Sequence, residues 1–355
     1  MIKWIKPILA LSILPQIVVV KILANYPLFI EKYYSNGLYV WLSKIFRGVF
    51  GWIPFSMGDI FYTIAILLIF RFFILHRKKI FRQPRTFFKE VFIVLSLAYF
   101  VFHVLWGLNY YRQPLSKSLH LENDYTTHEL VNFTKNLIEK SNEIHFKITK
   151  NDSLAVEIPY SKSEIYKMTA NGYSNLSQKL PRFTYELSSI KHSVYSLPLT
   201  YMGYGGYINP FTNEAQVNSI AFNFKYPTVS CHEQAHQIGY AAENEANFIG
   251  YLASIHNDDI YFQYSGYVFV LGYCLREIKK RDKNLVKELT GLLNPGIIEN
   301  YNNVAKFWSK YETKAEVFFK ETFNTFLKAN NQKQGIKSYS NVVSLLVNYH
   351  KKNPL

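Results

Sequence analysis

Residues 231–240 read Cys-His-Glu-Gln-Ala-His-Gln-Ile-Gly-Tyr and contain the pattern His-Glu-x-x-His. In a helix, residues four apart lie almost one above the other, so His232 and His236 would project from one face and hold a metal ion between them. Glu233 lies about 100° further round the helix, where it would reach a water on the metal rather than the metal itself. This arrangement indicates Zn²⁺, with Glu233 as a general base. The alternative is a surface helix with solvated side chains.

A zinc site that acts on a water needs a third protein ligand and a fourth position left for the water. Gly239 is a favourable helix end, so a second helix is expected to begin near Ala242 and to carry Glu243 and Glu245. Two residues apart on a helix, these carboxylates project about 200° from each other, and only one can face the metal. We prefer Glu243, because Asn247 lies one turn later on the same face and can support a ligand imidazole. Glu245 is the alternative.

His-Glu-x-x-His followed by Glu-x-x-Ala-Asn resembles the gluzincin branch of zinc metallopeptidases, whose third ligand is a Glu that often has Asp or Asn four residues later. Over nearly its full length the chain is also similar to an uncharacterised bacterial family of predicted multi-pass membrane zinc metallopeptidases. The shared features are three N-terminal spans, the metal motif and the segments Trp106-Gly-Leu-Asn-Tyr-Tyr-Arg112, residues 205–215 and Ser338-Tyr339-Ser340. The resemblance implies a zincin-like catalytic domain that binds one Zn²⁺.

The positive charge of the chain is unevenly distributed. The 40 Lys and Arg against 25 Asp and Glu give a formal net charge of +15. Residues 1–111 contain 13 basic and 3 acidic residues, a net +10, and residues 112–355 contain 27 and 22, a net +5. Most of the excess flanks apolar stretches, where basic residues set membrane topology. Nucleic acid is therefore not expected among the partners.

Two cysteines, Cys231 and Cys274, are too few for a disulfide framework. Cys231 directly precedes the metal motif and is expected to pack inside the domain as a small apolar residue. A single bridge to Cys274 in an oxidising compartment is the alternative.

Three apolar stretches approach the roughly 20 residues that cross a bilayer, namely residues 7–30, Asp59–Leu75 and Val91–Leu108. The first is either an anchor, with Lys21 extending towards the headgroups, or the apolar core of a signal peptide. An anchor is favoured because no small-x-small cleavage site follows. The aromatic segment Tyr33–Ser56 is expected to connect the first two stretches at the membrane interface.

The segment between the second and third apolar stretches fixes the predicted orientation. Residues 77–89 form a basic loop with no acidic residue, and loops of this kind stay in the cytoplasm. We therefore expect a membrane domain over residues 1–111 and an extracytoplasmic domain over residues 112–355. The aromatic residues of segment 106–111 would lie at the outer interface. The resemblance places the chain in the bacterial cytoplasmic (inner) membrane, with the catalytic domain on the periplasmic side.

The fold expected after residue 111 is mainly helical with a small β-sheet, an α+β domain preceded by three transmembrane helices. Strands are predicted at Val194–Leu197 and Gln216–Ile220. Amphipathic periodicity predicts helices from Thr126 or Thr127 to about Glu143, from Ser161 or Ser163 to Leu180, over Phe262–Lys280, and several more between Leu285 and His350.

The stretch Thr200–Ala215 is rich in Gly and Tyr. In zincins an edge strand above the metal helix binds extended substrate, and by that resemblance this stretch is the candidate substrate-facing edge. Gly205 and Gly206 would let another backbone approach closely. Tyr204 and Tyr207 are candidates for stabilising an oxyanion. The alternative is a plain hairpin with interior tyrosines.

Two functional hypotheses follow. The first is a membrane-anchored zinc metalloendopeptidase that hydrolyses peptide bonds outside the cytoplasm, with Zn²⁺ on His232, His236 and Glu243 and with Glu233 activating the zinc-bound water. Its partners would be a peptide or protein substrate and the lipid bilayer. The second is a non-catalytic membrane scaffold or receptor whose soluble domain binds a peptide or a structural metal. In the second hypothesis Glu233 is dispensable.

Overall fold

Helices form most of the N-terminal part of the chain. The computed structural model describes residues 2–332, 335 and 341–355, so the predicted Ser338-Tyr339-Ser340 feature lies outside the described residues. The elements in this part are α1 (Ile2–Leu11), α2 (Ile13–Leu23), α3 (Pro27–Phe29), a π-helical stretch (Ile30–Leu38), α4 (Tyr39–Phe50), α5 (Met57–Arg82), α6 (Pro84–Leu105) and a short 3₁₀ turn (Gly107–Tyr111).

Three helical stretches within the described residues are long and apolar enough to cross a membrane. They are Trp4–Leu23, Met57–Arg82 and Pro84–Leu105, so the prediction of three spans is confirmed at the level of length and composition. The predicted basic loop is almost entirely helical. Helix α5 continues to Arg82, α6 begins at Pro84, and only Gln83 separates the two helices. Pro at the first helical position supplies the fixed φ with which α6 restarts.

The rest of the chain is a helical body with a small sheet. The prediction of a mainly helical fold with a small sheet is confirmed. Its elements are α7 (Leu115–Ser118), α8 (Thr127–Thr149), α9 (Lys162–Lys179), a 3₁₀ turn (Pro181–Phe183), β1 (Ile190–His192), α10 (Ser196–Met202), β2 (Gly206–Asn209), β3 (Glu214–Val217), α11 (Tyr226–Gln237), α12 (Glu243–Ile255), α13 (Ile260–Arg281), α14 (Lys283–Thr290), α15 (Pro295–Ser309), α16 (Lys314–Ala329) and α17 (Val342–His350).

The starts of α8 and α9 follow from local sequence. Thr126 and Ser161 each accept a hydrogen bond from the backbone of the residue three positions later, and that residue, Glu129 or Glu164, bonds back to the cap. These capping boxes satisfy backbone donors that a helix start leaves unpaired. Both predicted helices are therefore confirmed, with α8 running six residues beyond the predicted Glu143.

The sheet has the order β1-β3-β2, with β1 parallel and β2 antiparallel to β3. β2 lies at an edge, and its Gly206 pairs with Val217 of β3. The predicted strand at Val194–Leu197 is wrong, because the chain there enters α10. The cause is a distant contact, since Asp59 of α5 accepts hydrogen bonds from the Val194 N–H and the Ser193 hydroxyl. The predicted strand at Gln216–Ile220 overlaps β3 only in its first two residues.

The core of the helical body is built around α11. This helix is buried along almost its whole length between α12, α13, α9 and the sheet. Cys231 and Cys274 are both buried and free, as expected for a small apolar packing role.

The two parts of the chain share polar contacts near the N-terminal end of α5. Glu214, at the start of β3, accepts the backbone N–H groups of Met57 and Gly58, the first residues of α5. A carboxylate at a helix N-terminus is favourable because the exposed N–H groups and the helix dipole attract negative charge. Glu214 also forms a buried ion pair with Lys191, whose ammonium group donates to the Phe50 carbonyl oxygen at 2.7 Å. The helical body is thus hydrogen-bonded to the membrane segments.

Candidate metal centre

Helix α11 ends where the sequence predicts it. Gly239 has a φ of +88°, the left-handed conformation that glycine adopts at little cost. The Gly239 N–H bonds to the His236 carbonyl oxygen and the Tyr240 N–H bonds to the Ala235 carbonyl oxygen, which is the Schellman pattern of helix termination. The chain then turns through Ala242 into α12, whose first residue is Glu243.

A glycine in α12 allows the two helices to approach closely. A Cβ at Gly250 would lie 2.8 Å from the backbone nitrogen of His232, a distance that real Cβ atoms do not tolerate. This approach brings the N-terminal end of α12 against the face of α11 that carries the histidines. Glu243 therefore reaches the imidazoles from the start of the neighbouring helix.

The side chains of the His-Glu-x-x-His pattern and Glu243 converge. Glu243 Oε2 lies 3.3 Å from His232 Nε2 and 3.7 Å from His236 Nε2. One ligand atom from each of His232, Glu233 and His236 lies within 4.8 Å of the others. The four residues are 8% exposed or less, so a cation placed among them would be nearly enclosed by protein. Two imidazole nitrogens and a carboxylate oxygen are a donor set that Zn²⁺ prefers.

The electrostatics of the two carboxylates differ. Burial acts to raise the pKa of Glu243, but the two adjoining imidazoles outweigh it and hold that pKa well below its usual range. Glu243 therefore stays ionised, as a ligand must. Burial raises the pKa of Glu233 to about 8, because this carboxyl group has no comparable partner. Its Oε2 is buried without a hydrogen-bond partner among the described residues.

The imidazole of His236 is oriented by the backbone. Its Nδ1 lies 2.7 Å from the Tyr240 carbonyl oxygen, which can only accept, so Nδ1 carries a proton and Nε2 is the nitrogen that faces Glu243. Asn247 lies beside the other imidazole, since burial lowers the pKa of His232 and a side-chain hydrogen bond to Asn247 acts in the opposite direction. The Asn247 amide nitrogen donates to the Tyr273 hydroxyl at 3.3 Å.

The other predicted third ligand points elsewhere. Glu245 is buried, and its Oε1 accepts the backbone N–H of Leu115 at 2.6 Å. This carboxylate lies on the side of α12 near Arg112. Burial raises the pKa of Glu245 to about 7, and the Arg112 charge opposes this by a smaller amount. Glu243 is the carboxylate that lies beside both rings.

The predicted substrate-facing residues divide between the two faces of β2. Gly206 lies directly over the metal helix, because a Cβ there would sit 2.6 Å from Glu233 Oε1. Gly205 is next to Val229 of α11. Tyr207 is on the opposite face, where its hydroxyl donates to Asp59, so it is not brought together with the metal-binding side chains. This division follows from the alternation of side chains along a strand.

Tyr204 lies close to Glu243. Burial and the nearby Glu243 charge together raise its pKa to about 12. Its ring contacts Phe323 of α16 with a centroid distance of 5.4 Å. Among the candidates for an oxyanion donor, Tyr204 is the one on the same side as the metal-binding side chains.

Three residues that precede α7 in the chain support the end of α11, and sequence reasoning did not assign them to the site. The Tyr39 hydroxyl donates to the Gln237 carbonyl oxygen at 2.9 Å. Trp106 Nε1 donates to the His236 carbonyl oxygen at 3.4 Å. Arg112 Nη1 donates to the Gly239 carbonyl oxygen at 2.9 Å. These bonds satisfy carbonyl groups that a helix end leaves unpaired. The expectation that Trp106 lies at the lipid interface is wrong, because it is buried with its ring 6.3 Å from that of His236. Trp106 and Arg112 are the first and last residues of a segment that the chain shares with the family it resembles.

Comparison with known protein families identifies the family of this chain. A family profile described as "Protein of unknown function (DUF3810)" matches residues 34–347. The chain belongs to this family. The match covers α4, two of the three apolar spans, the sheet and all four residues of the candidate metal centre. Comparison with the curated proteins and with the solved structures gives no match. The DUF3810 description names no activity, so the function is argued from the chemistry of the site.

Proposed function

We propose that this DUF3810 protein is a membrane-anchored, zinc-dependent metallopeptidase with a zincin-like catalytic domain. The observation that supports this most is the convergence of His232 Nε2 and His236 Nε2 on one oxygen of Glu243, at 3.3 and 3.7 Å. The site would use three protein ligands and leave a position for water and substrate, as catalytic zinc sites do. Peptides or proteins are the proposed substrates.

The residues around this centre have the properties that peptide hydrolysis needs. A bound Zn²⁺ would polarise the scissile carbonyl and lower the pKa of a coordinated water from 15.7 towards about 7. Glu233, whose Oε2 is buried without a hydrogen-bond partner among the described residues, would take the proton of the attacking water and pass it to the leaving amine. β2 is an edge strand that passes over Glu233 at Gly206, so an extended peptide could pair with its free edge.

The proposed location is the outer surface of the bacterial cytoplasmic membrane. Trp106, which follows the third span, contacts His236, and Asp59, near the start of the second span, accepts from Tyr207. These residues lie at the ends of the spans remote from basic residues 77–89. If the basic end stays in the cytoplasm, the metal centre faces the periplasm. The division into a membrane domain (1–111) and a catalytic domain (112–355) remains part of this proposal.

A second function is favoured by one observation. The four residues of the centre are 8% exposed or less, and structural zinc sites are closed whereas catalytic ones have an open position. In this alternative the chain is a non-catalytic membrane scaffold or receptor whose metal stabilises the fold. Glu233 distinguishes the two functions, because only catalysis uses a base beside the ligands.

The substitution Glu233→Gln in the full-length protein, reconstituted in lipid, tests the proposal. Removing the base should leave zinc content intact and lower the rate of peptide cleavage by roughly 10²–10⁴-fold. Zinc is measured by mass spectrometry of the purified protein and cleavage with a broad peptide library. Glu245→Gln is the matched control, since this buried carboxylate faces Arg112 and both zinc content and cleavage should be retained.

The results separate the two functions. If the wild type and Glu233→Gln both contain zinc and cleave peptides equally, or not at all, the peptidase is rejected and the scaffold remains. A wild-type protein without zinc would reject both. Glu243→Gln should reduce zinc content, since it changes the ionised ligand that lies against both imidazoles.

A further inference from the structure

Helix α16 forms an outer layer over the candidate metal centre. At its N-terminal half, Glu316 Oε1 would lie 3.0 Å from a Cβ at Gly203, in the turn that precedes β2. Further along, the Phe323 ring packs on Tyr204 and the Phe326 ring packs on Tyr110, with centroid distances of 5.4 and 6.0 Å. The helix therefore runs from the start of the proposed substrate strand to the segment that follows the third span.

The two tyrosines beneath α16 lie next to the metal-binding side chains. The charge of Glu243 acts on both Tyr204 and Tyr110, in each case as a smaller effect than burial, and raises their pKa. Tyr110 also contacts Trp106, whose ring packs on His236. One layer of aromatic rings thus separates α16 from the centre, which explains why the centre is almost completely buried.

The surface of α16 is divided into three faces, because residues follow one another at about 100° round a helix. The packing face carries Glu316, Lys320, Phe323 and Leu327, of which Leu327 is fully buried. A neighbouring face carries Phe318, Phe319, Thr322 and Phe326, all exposed. The third face carries the exposed charged residues Lys314, Glu321 and Lys328. Exposed aromatic side chains on one face and charges on another are typical of a helix that lies in a membrane interface.

The apolar face of α16 is continuous with the membrane spans. Phe326 contacts Phe102, near the end of the third span, with ring centroids 6.3 Å apart. Helix α4, which follows the first span, exposes Trp41, Ile45 and Val49 at helical spacing, so a second helix presents an apolar face beside the same ends of the spans. A lipid surface would cover both helices at the depth at which the spans leave the bilayer.

We propose that α16 is an interfacial lid, whose Phe318, Phe319 and Phe326 face inserts into the outer leaflet while its Phe323 face closes the metal centre. This inference rests on the proposed function in two respects, the bound metal and the peptide substrate. Lipid is the expected partner of this face because Phe326 contacts Phe102, near the end of the third span. Substrate would enter when α16 lifts from Tyr204 and Tyr110, so the accessible substrates are protein segments close to the membrane surface. Gating of this kind is common where a closed site excludes water.

Membrane contact is tested with a fluorescent probe on single cysteines of the full-length protein in liposomes. The native Cys231 and Cys274 are buried, so they do not compete for the label. An environment-sensitive dye on Phe318→Cys should emit at shorter wavelength and be quenched by nitroxide-labelled lipid. The same dye on Glu321→Cys, on the charged face, should do neither. Equal, water-like emission at both positions would overturn the proposal, and a blue shift at Phe318→Cys without lipid quenching would show protein rather than lipid on this face.

Closure is tested by the rate at which a chelator removes zinc from the reconstituted, zinc-loaded protein. Phe323→Ala removes the ring that packs on Tyr204 and should accelerate zinc loss several-fold. Glu321→Ala, on the exposed charged face, is the matched control and should leave the rate unchanged. A retained circular dichroism spectrum and melting temperature show that Phe323→Ala is folded, and an unchanged rate in that folded variant would overturn the lid. If the wild type binds no zinc, the proposed peptidase fails, whereas the fluorescence result still decides the position of α16.

Discussion

At the residue scale, Gly206 is the position where the sheet and the proposed base meet. A Cβ there would lie 2.6 Å from Glu233 Oε1 and 2.6 Å from the Gln216 carbonyl oxygen. The Gly206→Ala methyl group would therefore displace the carboxylate and shift β2 relative to β3, while the two imidazoles on α11 stay in place. We expect cleavage to fall by about 10²-fold, because misplacing a catalytic group by about 1 Å has an effect of this size. Zinc content should not change.

Gly205→Ala is the matched control for that substitution. Its Cβ would lie 3.4 Å from a Val229 methyl group, an ordinary van der Waals contact, and no carboxylate is beside it. Cleavage and zinc content should both stay close to wild type. Equal activity in Gly206→Ala and Gly205→Ala would contradict the position that we assign to Glu233.

The residues of the centre could be predicted because they are close in sequence. Helical spacing alone brings His232 and His236 to one face, and Gly239 ends the helix so that Glu243 can return to it. One detail depended on a contact that no local pattern contains. Tyr207 faces Asp59, which is far away in the chain.

At the scale of elements, the C-terminal end of α11 depends on a side chain from α4. The Tyr39 hydroxyl is buried, donates to the Gln237 carbonyl oxygen at 2.9 Å and accepts from Asn213 Nδ2 at 2.8 Å. Tyr39→Phe would leave both groups unpaired, and we expect a loss of about 1–3 kcal/mol in stability. The loss acts one residue from His236, so zinc affinity should fall with it. Melting temperature and zinc titration of the reconstituted protein measure the two effects.

Tyr34→Phe separates a general loss of stability from an effect on the centre. Tyr34 belongs to the same buried cluster as Tyr39, but its hydroxyl donates to the His103 and Val104 carbonyl oxygens at the end of α6. This variant should lower the melting temperature and leave zinc affinity unchanged. The same fall in affinity in both variants would show that Tyr39 has no particular role at the metal helix.

The elements with local signals were easier to predict than those fixed by distant partners. The capping boxes at Thr126 and Ser161 mark the starts of α8 and α9 in the sequence itself. The segment after Val194 has the composition of a strand, yet its backbone is bonded to Asp59 and continues as a helix from Ser196. Local propensity yields to such tertiary contacts, most readily in short elements.

At the scale of the whole molecule, the apolar helices and the helical body form a common interior. Buried Trp106 and Tyr110 follow the third span and pack beneath the metal helix and α16. Aromatic residues after a span are typical of a lipid interface, and that pattern predicted that they lie at the outer interface of the membrane. Such residues face lipid or protein depending on the domain that packs above them. Their local sequence carries no information about that domain.

Because the metal helix is bonded to residues before Arg112, we expect residues 112–355 expressed alone to lose most of their zinc affinity. That fragment lacks the Tyr39 and Trp106 donors to the end of α11 and the start of α5 that pairs with Glu214. Zinc titration of the fragment against the full-length protein measures the loss. Coexpression with residues 1–111 in membranes is the control and should restore zinc binding, since it returns the same donors. A fragment that binds zinc as tightly as the full chain would show that the membrane segments serve only as an anchor.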